Sequence, residues 1–180
     1  MAEILPQRPM ILPSRHFVYP SDAEEVEKGA LEVLVQAGPA DDGSTTRPFL
    51  VTCALGFRDE MAPTGLWSMP DPEWLCAVSG GYAYLIDTAR PERFTHVRYR
   101  PVLGIWSWTP GDSPGLLLFA GHHSILAWGR DGEAWESERL SWEGVTVERI
   151  EEWRLYGRGW DLMTDRETPF ALDLITGRRV

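Results

Sequence analysis

The feature that most limits what this chain can fold into is a rhythm of short apolar runs cut by turn signals. Leu75-Cys76-Ala77-Val78 is followed by Gly80-Gly81, and Tyr82-Ala83-Tyr84-Leu85-Ile86 returns. Paired glycines between apolar runs supply the positive φ angles that a tight hairpin needs. Leu116-Leu117-Leu118-Phe119-Ala120 and Ser124-Ile125-Leu126-Ala127-Trp128 flank Gly121-His122-His123 in the same way. Val145-Thr146-Val147-Glu148-Arg149-Ile150 alternates between apolar and polar residues. Runs this short, rich in β-branched and aromatic residues, make strands rather than helices.

Further runs extend the pattern at Leu31–Val35, Phe49–Leu55, Val97–Arg100, Gly104–Trp108, Glu133–Ser137 and Phe170–Leu174. Arg154–Gly157 and Trp160–Met163 read as two strands joined at Arg158-Gly159. The sum is about ten or eleven strands with turns roughly every 8 to 12 residues. The expected class is all-β, an antiparallel meander of about ten strands. It would form a sandwich or an open barrel-like sheet, with a small propeller as a third form. A length of 180 residues suits one domain over residues 1–180. Pro6, Pro9, Pro13 and Pro20 make residues 1–20 an extended arm, because proline removes donors and disfavours helix before it. At most one or two short helices are expected, near residues 21–28, where Ser21-Asp22 can cap a first turn and Gly29 can stop it.

Twenty-seven carboxylates against 17 Lys and Arg give a net charge of −10. Such a chain is repelled by nucleic acid and by anionic lipid, and attracted to a basic protein. Cys53 and Cys76 fit no metal or redox spacing and read as small buried hydrophobes. The first residues lack the apolar core of a signal peptide, and no run approaches the ~18 apolar residues of a membrane span. A bacterial cytoplasmic location is the expectation.

Leu75–Ile86 lies over Leu117–Trp128 without a gap, and Trp153–Met163 repeats the theme around Arg158-Gly159. A spacing near 40 residues is that of a four-stranded propeller blade. The segment Ile125–Trp142 carries Gly129-Arg130-Asp131-Gly132-Glu133-Ala134-Trp135 and ends in Arg139-Leu140-Ser141-Trp142. This resembles a recurring pattern of uncharacterised bacterial all-β proteins and the blades of quinoprotein-like propellers. The resemblance covers the C-terminal part of the chain and implies a fold; it implies no activity.

No catalytic, cofactor-binding or metal-binding residues are assigned. His122 and His123 are neighbours without a third local ligand and read as surface turn residues. Neither Ser79 nor Ser124 sits in a Gly-x-Ser-x-Gly elbow. Tryptophan is the anomaly, with nine in the chain. Most should fill the core, while exposed ones mark binding sites, since Trp and Arg dominate interface hot spots. The candidate binding residues are Trp106, Trp108, Trp128, Trp135, Trp142, Glu136, Glu138 and Arg139. The functional expectation is a non-enzymatic module that binds a basic protein, of immunity or antitoxin type. The alternative is a small carbohydrate- or ligand-binding protein or enzyme, with a cleft lined by Trp106, Trp108, Trp128 and Glu136.

Overall fold

A computed structural model describes residues 1–21, 28–36, 47–58, 62–111 and 115–180. The fold is all-β, and no helix occurs among the described residues. The helix expected over residues 21–28 lies, apart from its two ends, outside them. Among the described residues, fifteen strands form four sheets, none closed into a barrel. No helix among the described residues is long and apolar enough to cross a membrane. The chain groups into two compact units, Met1–Ser68 with Pro72–Arg98, and Met69–Asp71 with Tyr99–Val180.

The first unit holds β1 (Ala2–Leu5), β2 (His16–Tyr19), β3 (Ala30–Val35), β4 (Phe49–Ala54), β5 (Gly65–Ser68), β6 (Trp74–Ser79), β7 (Tyr82–Asp87) and β8 (Phe94–His96). One sheet runs β1-β3-β4-β2 and the other β5-β6-β7-β8. The proline-rich arm therefore supplies both edges of the first sheet, where missing donors cost least. Its β2 pairs with β4 in parallel, from His16 opposite Leu50 to Tyr19 opposite Cys53. That pairing departs from the purely antiparallel meander expected. Strand period 2 sends Val33, Val35, Val51 and Cys53 to one face, and they share a core with Ala77, Tyr84 and Ile86 of the second sheet. Burial of both thiols raises their pKa well above the ordinary value, so neither cysteine is a ready nucleophile.

The second unit holds β9 (Gly104–Trp108), β10 (Leu116–Ala120), β11 (Ile125–Gly129), β12 (Gly132–Glu136), β13 (Val145–Glu151), β14 (Arg154–Asp161) and β15 (Arg166–Asp173). Two antiparallel meanders result, β9-β10-β11-β12 and β13-β14-β15. Leu118, Ala120, Ile125 and Ala127 from the first pack with Val145, Leu155, Phe170 and Leu172 from the second. Each such Leu or Phe contributes about 1.5–3 kcal/mol by leaving water.

Two expectations need correction. Val97–Arg100 is not a strand; the pairing falls on Phe94–His96, and a cis Arg100-Pro101 bond follows. Arg158-Gly159 is not a turn either. Arg158 pairs with Thr146 and Pro169, and Gly159 pairs with Val145 and Thr168, inside the uninterrupted β14. The glycine is there because the Leu140 carbonyl lies where its Cβ would be.

Candidate functional site

The sequence-selected tryptophans separate by strand period. Leu118 pairs with Trp106 and with Ala127, and Leu116 pairs with Trp108. Those residues face the core of the second unit, where Trp108 is buried and Trp106 half-buried. The Trp108 indole Nε1 donates to the Glu152 carbonyl at 2.6 Å. Trp135 also packs on this core, and its Nε1 donates to the Leu174 carbonyl at 2.9 Å. Trp128 pairs with Leu117 and so lies on the opposite face of the sheet. A bulge between Ala127 and Trp128 sets the two rings seven positions apart on opposite sides. Glu136 pairs with Leu126, also on the far side from Trp106 and Trp108. The four residues Trp106, Trp108, Trp128 and Glu136 therefore do not line one cleft.

Glu136, Glu138, Arg139 and Trp142 lie on the stretch that leaves β12 and passes the β10–β11 turn. The turn carbonyls hold that stretch in place. His123 O accepts from Leu140 N at 2.7 Å and Ser141 N at 3.2 Å, and His122 O accepts from Gly144 N at 2.8 Å. Beneath it, the Ser141 hydroxyl is buried and accepts from the N–H of Trp160 at 2.9 Å and of Glu143 at 3.2 Å. Glu136 Oε1 accepts from the Tyr99 hydroxyl at 2.6 Å and the Ser124 hydroxyl at 2.9 Å. Glu138 pairs with Arg179 at 3.1 Å.

The outer part of this surface is an aromatic ring covered by a guanidinium, with the exposed carboxylates of Glu138 and Glu143 near it in the chain. The Arg139 guanidinium stands 4.2 Å from the centre of the Trp142 ring, a cation–π contact that fixes both side chains. Arg139 Nη1 also lies 3.3 Å from His123 Nδ1. Trp142 stays 44% exposed, and His122 and His123 are exposed beside it. Among the described residues, no group of three or more His, Cys, Asp or Glu is placed to hold a metal.

Sequence reasoning passed over a second feature of the same unit. A groove of about 880 Å³ is lined by Glu151, Glu152, Trp153, Arg154, Tyr156 and Asp173. Trp153 is 46% exposed and packs edge-on against buried Trp108, with centroids 5.1 Å apart. Its signal is an aromatic residue in a charged hairpin turn, Glu151-Glu152-Trp153-Arg154, which has no reason to be apolar for the core. Asp173 is held below the usual carboxylate range by the Thr176 hydroxyl and by the Thr176 and Ile175 N–H groups.

The first unit carries one buried polar chain. Thr52 donates to Glu32 Oε2 at 2.7 Å and stands 2.8 Å from His16 Nε2. Glu32 and Thr52 are directly paired across β3 and β4, so the contact is set by register. Comparison with family models, with curated proteins and with solved structures returns no match.

Proposed function

We propose that this chain is a non-enzymatic protein-binding module of the bacterial cytoplasm, of immunity or antitoxin type, that holds a basic partner. The observation that carries this reading is the Arg139–Trp142 pair: a large ring left 44% exposed yet locked by a guanidinium 4.2 Å away. The backbone under it is fixed as well, since Trp142 N donates to the Trp160 carbonyl at 2.9 Å. A rigid aromatic anchor of this kind loses little entropy on binding. Glu133, Glu138 and Glu143 are exposed in the same stretch, and the net charge of −10 favours a basic partner over nucleic acid or anionic lipid. Two free, buried cysteines suit a reducing compartment. The meanders β5–β8, β9–β12 and β13–β15 follow one another along the chain, which supports the blade-like, propeller-related reading of the C-terminal part.

The test is affinity capture from the native host with wild type and Trp142→Ala side by side. A basic protein retained by the wild type and lost by a variant of unchanged melting temperature is the expected result. Equal retention by both would remove Trp142 from the interface.

A further inference from the structure

The groove beside Trp153 is built from the β13–β14 turn and the adjoining ends of β13, β14 and β15, and shares no residue with the Arg139–Trp142 pair, so a ligand held there owes nothing to the protein-binding role of that pair. Its walls are fixed. The Glu152 carbonyl accepts from Trp108 Nε1 at 2.6 Å, and the Trp153 carbonyl accepts from Leu174 N at 2.8 Å. Both carbonyls of the β13–β14 turn are thus pinned to the body of the unit. Glu152 holds a φ of 49°, a left-handed conformation usually left to glycine, asparagine or aspartate. Asp173 lies beside the turn, paired with Arg154 across β14 and β15, and its Oδ1 takes two N–H groups and the Thr176 hydroxyl, which orients its carboxylate.

The lining chemistry decides what fits. A cation would find carboxylates and an indole, but Arg149 already stands 3.9 Å from the centre of the Tyr156 ring and bonds Glu151 at 2.9 Å. Arg154 places a positive charge in the lining itself. An anion would meet three carboxylates, Glu151, Glu152 and Asp173. A neutral ligand that both donates and accepts is the one matched on every side. Carboxylates only accept and guanidinium only donates, so each hydroxyl of such a ligand finds a partner. The exposed Trp153 ring offers a flat apolar surface for the C–H face of a ring that carries those hydroxyls. A volume of about 880 Å³ falls in the range of small-molecule sites.

We infer that this groove binds a neutral saccharide, with one pyranose seated on Trp153 and its hydroxyls held by Arg154, Asp173 and Glu152.

The experiment is calorimetric titration of the full chain with neutral oligosaccharides of glucose, galactose, mannose, xylose and N-acetylglucosamine. A penta-arginine peptide serves as the cationic control. At least one saccharide should bind, and Trp153→Ala should weaken it by about tenfold. Trp142→Ala should leave it unchanged. Arg154→Met, an exposed change, should weaken binding as well, and it keeps the test open if Trp153→Ala does not fold. The inference is overturned if no saccharide binds, or if binding survives both Trp153→Ala and Arg154→Met. Penta-arginine binding that needs Trp153 while the saccharides fail would overturn it equally.

Discussion

Ser141 is 1% exposed, and its hydroxyl accepts two backbone N–H groups, those of Glu143 and Trp160. A small buried hydroxyl of this kind stabilises because two donors would otherwise be stranded at about 1–3 kcal/mol each. It also fixes the backbone from which Trp142 projects. In the first unit the comparable residue is His16. Thr52 gives its one proton to Glu32, so it accepts from His16 Nε2–H. Burial lowers the His16 pKa below its ordinary 6.5, Arg8 lowers it further, and Glu32 opposes them. On acidification the unfolded chain therefore takes up this proton before the folded chain does. The stability His16 contributes is present above 6.5 and is lost as pH falls through its lower folded value. Between about pH 7.5 and about pH 5, urea unfolding of wild type should show a steeper loss of stability than His16→Gln. Parallel pH profiles for the two proteins would rule out His16 as the source.

At the scale of elements, the hairpins with strong turn residues and the apolar or alternating strands, β3, β4, β9 and β13 among them, were legible, and the short edge strands were not. Gly80 and Gly81 have φ of 55° and 77°, and the β6–β7 hairpin they close lies where the alternation puts it. Arg158-Gly159 misled because glycine has two uses in a β protein, to turn a chain and to let another chain pass close. Only the tertiary neighbour, Leu140, distinguishes them. The short edge strands β1, β2 and β5 were missed because residues such as Pro6 and Pro63 stand close to them, and proline argues against a strand on local grounds. Gly159→Ala tests the close approach. The new methyl group meets the Leu140 carbonyl and the Ser141 side chain, and backbone cannot yield as a flexible side chain does. A loss of about 1–3 kcal/mol is expected from urea unfolding. Gly129→Ala is the control, a strand glycine without a left-handed φ whose added carbon would meet its neighbours only at 3.6 Å or beyond. If the two losses match, steric overlap at Gly159 is not the cause.

For the whole molecule, the sequence conveyed the charge and the abundance of tryptophan but not which rings reach the surface. Trp128, Trp135 and Trp142 are equally spaced in sequence, yet one bulge and one leaving strand give them three different environments. Trp153 was overlooked because its exposure depends on Trp108, far earlier in the chain, which holds the turn by a hydrogen bond. In the proposed protein-binding role, charge and ring would act at different stages of association. The field of 27 carboxylates against 17 basic residues extends about 8 Å at physiological salt, so it would guide encounter with a basic protein before any contact forms. The Arg139–Trp142 pair would act only once the surfaces meet, and would govern how long they stay together. With the captured partner on a biosensor surface, raising NaCl from about 50 to about 500 mM should slow association by about tenfold or more and change dissociation little. Trp142→Ala should do the reverse, speeding dissociation by about tenfold or more at unchanged association. An association rate indifferent to salt would remove net charge from partner choice. A slower association in Trp142→Ala, with dissociation unaltered, would place the ring in the encounter step and not in the bound interface.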